Sequence, residues 1–142
     1  MKYKYPEAAE ELKRLGDWLN TASHMLARIE ELEKAKYNYG GYSLSLVPGG
    51  KSHEEDKIGS LIAKCETVSA EYATLYGKCI PLLAALDALP QDERITLDLC
   101  FVRRAYGWET RAASALHLSV SRIYQIKDNA LRRYAGIRGY KE

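Results

Sequence analysis

Few residues in this 142-residue chain have types and spacings that could do chemistry. Cys65, Cys79 and Cys100 are widely spaced and form no CxxC pair. Their odd number suits neither a disulfide framework nor a zinc site, so they read as small buried hydrophobes in a reducing compartment. His24, His53 and His117 lack metal-ligand spacing, so no metal is expected, and no cofactor. The run PGGKS at 48–52 resembles a phosphate cradle, but GxxxxGK[ST] needs glycine where Ser45 stands, and Glu54, Glu55 and Asp56 follow directly. Glu30, Glu31 and Glu33 have the spacing of a solvated helix face. No serine or cysteine has a local base with a motif around it, so an enzyme is not expected.

The stretch LHLSVSRIYQIKDNALRRY, residues 116–134, is different. It combines a hydroxyl-rich turn, an apolar stripe at helical spacing and a basic end. Ser119 is placed to cap a helix whose first exposed residues are Val120, Ser121 and Arg122, with Gln125 one turn on. A helix entering the major groove presents such residues to base edges. Arginine can pair in bidentate fashion with guanine, glutamine with adenine, a serine hydroxyl with a base edge or phosphate, and valine methyls with thymine. Lys127, Arg132 and Arg133 lie further along and suit phosphates, which set affinity and salt dependence more than sequence choice. Tyr124 either touches the DNA backbone or packs.

Such a helix needs a support. Upstream, Ala113 supplies a small contact residue and His117 a turn four residues later. Ala112, Leu116, Leu118, Ile123 and Ile126 fall where a helix-turn-helix buries side chains. The run PQDERITLDLCFVRRAYG predicts a preceding helix with acidic residues in its first turn, Arg103 and Arg104 in its last, and Gly107 ending it. Further upstream, Leu15, Trp18, Ala22, Met25, Ile29 and Leu32, widened by Leu12, Leu19 and Leu26, predict one long helix from Pro6 to about Tyr37. Residues 38–51, NYGGYSLSLVPGGK, with four glycines and a proline, predict a loop that Tyr37, Tyr39 and Tyr42 flank. The pair Ser52 and Glu55 then predicts a capping box opening a second long helix. Its stripe runs through Ile58, Leu61, Ile62, Cys65, Val68, Tyr72, Leu75, Cys79, Leu82 and Leu86, with a kink expected near Gly77–Ile80 from Pro81. The expected fold is all-α: residues 1–89 form an antiparallel helical hairpin or coiled coil with its loop at 38–51, and residues 90–142 form a helix-turn-helix domain.

Charge agrees with that division. Residues 1–90 carry 11 Lys and Arg against 13 Asp and Glu, a net of −2, whereas residues 91–142 carry 10 against 6, a net of +4. A polyanion would bind the C-terminal third. The start MKYKYPEAAEEL turns polar at once, and no apolar run of about eighteen residues occurs, so neither a signal peptide nor a membrane span is expected.

The motifs LPQDER, AASALHLSVSRIYQI and ALRRY, in that order, resemble region 4 of the sigma-70 family, over roughly the last fifty residues. The whole chain is similar, more loosely, to sigma-like late regulators of Gram-positive phages of the RinA/ArpU type. The resemblance implies a phage or prophage transcriptional regulator in the cytoplasm of a bacterial host. It would bind double-stranded promoter or operator DNA, and its N-terminal helices would contact host RNA polymerase or a second copy of the chain. The sequence departs from the family at the turn glycine, which is His117, and at a buried isoleucine, which is Ala112, and it lacks the region that melts promoters. Two other readings fit the same residues: a DNA-packaging subunit like a small terminase, and a protein-only adaptor of RNA polymerase that never touches DNA.

Overall fold

The computed structural model describes residues 4–43 and 51–141, with side chains described for 4–38 and 57–141. Among the described residues the chain is all helical. The elements are α1 (Pro6–Ser43), α2 (Lys51–Asp87), α3 (Gln91–Leu97), a π-helical turn (Asp98–Val102), α4 (Trp108–Leu116) and α5 (Val120–Arg138). None of these helices is long and apolar enough to cross a membrane.

Residues 38–43, expected to open a loop, instead continue α1. Each glycine costs a helix only about 1 kcal/mol, so Gly40 and Gly41 weaken this end without forbidding it. The rest of the expected loop, residues 44–50, and the side chains of Tyr39, Tyr42, Ser52, His53 and Glu55 lie outside the described residues. α2 continues through Pro81 to Asp87. α3 is shorter than expected. After Leu97 the chain widens into the π turn, closed by an N–H of Arg103 that donates to the Asp98 carbonyl at 2.8 Å. Arg103 and Arg104 therefore follow this turn and do not end a regular α-helix.

The chain divides into two compact units, one of Met1–Leu19 with Gly77–Glu142 and the other of Asn20–Tyr76. The first is discontinuous, so its boundaries differ from the expected one at Leu89. In the Asn20–Tyr76 unit, Ala22, Leu32 and Cys65 are buried, and the Cys65 thiol donates to Glu33 Oε1 at 3.0 Å. That bond to a carboxylate holds the thiol above its ordinary range.

The core of the discontinuous unit draws on α1, α2, α3, the π turn and α5. Ala8, Leu12 and Leu15 of α1 meet Cys79, Leu82 and Leu86 of α2, Leu97, Phe101 and Val102 around the π turn, and Leu131, Tyr134 and Ala135 of α5. Each fully buried leucine of this kind contributes roughly 1.5–3 kcal/mol of transfer free energy. The polar centre of the unit is Glu11. Its Oε1 accepts from the Tyr134 hydroxyl at 2.6 Å and from Arg138 Nε at 2.9 Å, and its Oε2 accepts from Arg138 Nη2 at 3.4 Å and from the Tyr140 hydroxyl. Gly139, left-handed at φ 83°, ends α5 and returns Tyr140 to this carboxylate.

α1 comes so close to the π turn that a Cβ on Gly16 would lie 2.0 Å from the Val102 carbonyl oxygen. Backbone, not a flexible side chain, is in the way. Gly16→Ala is therefore expected to destabilise by about 1–3 kcal/mol through forced backbone movement, read as a lower midpoint in urea; an unchanged midpoint would show that α1 does not approach Val102 so closely.

Burial raises the Glu11 carboxyl's pKa, but the donors Arg138, Tyr134 and Tyr140 outweigh it, so the net effect is a pKa below the ordinary 4.5. A group depressed in the folded state contributes stability above its unfolded pKa and loses it as pH falls through the folded value. Glu11→Gln should thus be less stable than the parent at neutral pH, and the gap should close as pH drops below about 4.5. A gap that stays constant into acid would remove Glu11 as a source of acid sensitivity.

Candidate nucleic-acid interface

α4 and α5 are joined by three residues, and the backbone of that turn is set by His117 and Ser119. His117 takes the left-handed conformation, φ 57° and ψ 44°, and its N–H donates to the Ala113 carbonyl. The Leu118 N–H reaches the same carbonyl at 3.0 Å. Histidine thus occupies a positive-φ position where the resembled family has glycine. Ser119 is extended, and its Oγ accepts from the Arg122 N–H at 3.1 Å, satisfying one of the orphan donors at the start of α5.

One side of α5 is sealed. Ala112 of α4 packs with Ile123 and Ile126, and Leu99, Trp108, Ala113 and Leu116 close around them. Leu118, expected among the buried residues, is instead 39% exposed, because the turn carries it outward before α5 begins. The opposite side of α5 faces water. Ser121, Arg122, Gln125, Asn129 and Arg132 are all exposed and recur three and four residues apart, so they line one face. Arg122 Nη1 donates to Gln125 Oε1 at 2.9 Å, and Arg132 Nη2 donates to Asn129 Oδ1 at 3.2 Å. Asn129 was not among the expected site residues; the same spacing that links Ser121 to Gln125 finds it one turn further on.

The other expected residues are placed differently. Val120 is 40% exposed at the edge of the polar face. Tyr124 sets its ring edge-on to Trp108 at 5.5 Å between centroids and donates its hydroxyl to Glu109 Oε2 at 3.3 Å. Partial desolvation and then the Glu109 charge push its phenol above the ordinary range. Lys127, expected to reach a phosphate, has a side chain only 14% exposed. Its Nζ lies 5.2 Å from the Tyr124 ring centroid and 5.9 Å from that of Trp108, and 3.8 Å from Asp128 Oδ1. The ammonium is held by ring faces and a carboxylate, a packing role. Arg133 pairs through Nε with Glu93 Oε2 at 3.3 Å, on the side of α5 that meets α3. Glu93 is itself buried, so this pair compensates a carboxylate withdrawn from water. The nine expected residues therefore separate. Ser121, Arg122, Gln125 and Arg132 share a solvent face, with Val120 at its rim. Ser119 and Tyr124 hold the turn and α4, and Lys127 and Arg133 are engaged within the fold.

Burial also acts on Cys100, which sits half-buried near the π turn and whose thiol is pushed up to about 11. At neutral pH it is a protonated, unreactive group.

The left-handed backbone at His117 costs a non-glycine residue about 1–2 kcal/mol, while glycine would give back part of that gain through a freer unfolded chain. His117→Gly should accordingly be neutral or more stable by up to about 1 kcal/mol, and His117→Val, β-branched at positive φ, clearly less stable. Thermal melts check both, and a stabilised valine variant would contradict the turn geometry.

The chain matches no protein-family model, no curated protein and no solved structure.

Proposed function

We propose that the chain is a sequence-reading DNA-binding regulator of phage or prophage genes. In this reading α4 and α5 act as a helix-turn-helix, and the first turns of α5 enter the major groove. α1 and α2 form a hairpin that engages RNA polymerase or a second copy of the chain. The observation that carries the proposal is the polar face of Ser121, Arg122, Gln125, Asn129 and Arg132, opposite the sealed side of Ile123 and Ile126. Groove recognition needs a helix held along one side with hydrogen-bonding side chains free to leave their local partners on the other. The ordered motifs shared with sigma-70 region 4 support the same assignment.

Each residue then has a role. Arg122 exchanges its bond to Gln125 for a bidentate pair with guanine, and Gln125, released, pairs with adenine. Ser121 and Asn129 contact base edges or sugar, and Val120 meets a thymine methyl. Arg132 takes a phosphate. Lys127 and Tyr124 act indirectly by fixing α5 against α4.

The test is to crosslink the tagged protein in its host and sequence the bound DNA. Enrichment upstream of a phage operon is expected. On the recovered site Arg122→Ala should cost about 1–3 kcal/mol of affinity and relax the preference at one base pair. Absence of enrichment from a folded, expressed protein would overturn the proposal and favour the protein-only adaptor, and a large ring in light scattering would favour the packaging subunit.

A further inference from the structure

Between the π turn and α4 the chain makes a knuckle, Arg103-Arg104-Ala105-Tyr106, where the sequence predicts the end of a helix. Its tip, Tyr106, is 95% exposed. The knuckle is nonetheless tightly held. Arg104 is left-handed at φ 49° and Gly107 at φ 68°. The Ala105 N–H donates to the Leu99 carbonyl at 3.0 Å, and the Trp108 N–H donates to the Ala105 carbonyl at 3.1 Å. Arg103 Nε pairs with Asp98 Oδ2 at 2.9 Å, and Arg104 Nη2 pairs with Asp17.

A large aromatic ring projected into water contributes no packing of its own, and Arg104 holds a left-handed backbone beside it, so the knuckle is a candidate contact surface. Tyrosine with arginine is the pairing that contact surfaces favour, because rigid side chains lose little entropy on binding. Both guanidiniums stay largely in water, Arg103 with 69% and Arg104 with 47% of the side chain exposed. Each carboxylate partner orients its guanidinium while leaving N–H groups for a second acceptor. The knuckle also lies at the right end of the domain: Trp108, two residues beyond Tyr106, packs against Tyr124 in the first turns of α5.

We infer that this knuckle is a second DNA contact, which grips the phosphate backbone beside the bases that α5 reads. The inference rests on the DNA-reading proposal above and adds to it a sequence-independent clamp. Arg103 and Arg104 meet phosphate oxygens, and Tyr106 donates its hydroxyl to a phosphate or lays its ring on a deoxyribose.

Binding of the full chain to a short random-sequence DNA duplex, titrated with salt, tests it, because such binding reports phosphate contacts alone. Tyr106→Ala is expected to weaken binding several-fold, by the same factor on random duplex and on the recovered site. Arg103→Gln should lower the slope of log affinity against log salt by about 0.9, the loss of one phosphate contact. Since Arg103→Gln also removes the pair with Asp98, the exposed Tyr106, whose replacement leaves the fold intact, decides the matter if that variant melts early. A parent protein that binds no DNA overturns the DNA-reading proposal and this inference with it. Knuckle variants with parental affinity and slope, while Arg122→Ala loses the recovered site, overturn the inference alone. A loss at Tyr106 independent of salt also overturns it and assigns the knuckle to a protein partner.

Discussion

The discontinuous unit depends on Glu11. A carboxylate withdrawn from water is stabilised when its lone pairs are taken up, and at Glu11 Tyr134, Arg138 and Tyr140 do so together. Its partners are more than a hundred residues away in the chain, so the bond set closes a very long loop. Loop closure costs grow only slowly with length, which is why one dense cluster, backed by Leu12, Leu15, Phe101 and Tyr134 in the same core, suffices to hold the first helix against the last. The first nineteen residues are therefore part of the platform that carries α5, and Gly16 shows how closely they fit it.

α5 is asked to do two opposed things, and the sequence divides them along its length and around its axis. Its C-terminal half is anchored through Leu131, Tyr134 and Ala135 into the main core, with Arg138 on Glu11. Its N-terminal half packs through Ile123 and Ile126, with Tyr124 and Lys127 beside them, against a small cluster, which leaves Ser121, Arg122 and Gln125 in water. A helix fixed firmly at one end and presented at the other keeps its exposed side chains in a defined register. Tyr124 and Lys127 sharpen that register, because a ring edge, an ammonium and Glu109 meet where α4 crosses α5.

The all-helical fold and the sealed side of α5 were legible in the sequence because both rest on the three-and-four spacing of apolar residues, at Ile123 and Ile126 as in α1 at Leu12 and Leu15. A turn at His117 was legible from the gap between the two stripes; its left-handed backbone is what the structure adds. What was not legible depends on partners distant in sequence. Nothing near Glu11 announces Tyr134 or Arg138, so the boundary at Leu89, read from the proline that stops the second helix, does not follow the compact unit that takes in the start of α1. Lys127 and Arg133 look like phosphate ligands in a basic run, and only the placement of Trp108 and Glu93 shows them engaged. The π turn escaped for another reason: the four consecutive apolar residues Leu99 to Val102 show no periodicity that an extra residue could disturb.

The same distinction corrects the charge argument. Ten basic residues in the C-terminal third suggest a broad polyanion surface, yet they are not equivalent. Arg138 and Arg133 neutralise carboxylates withdrawn into the fold, and Lys127 is pressed against two rings. Their charges still contribute to the long-range field, and their bonds to Glu11, Glu93 and the rings hold α5 in place. Among the described residues Arg122 and Arg132 pair with the neutral amide oxygens of Gln125 and Asn129, which a stronger acceptor displaces at little cost. Neutral partners on one set and carboxylate partners on the other sort these cations, placing exchangeable guanidiniums on the outer face of α5 and setting Arg133 and Arg138 where they secure the helix.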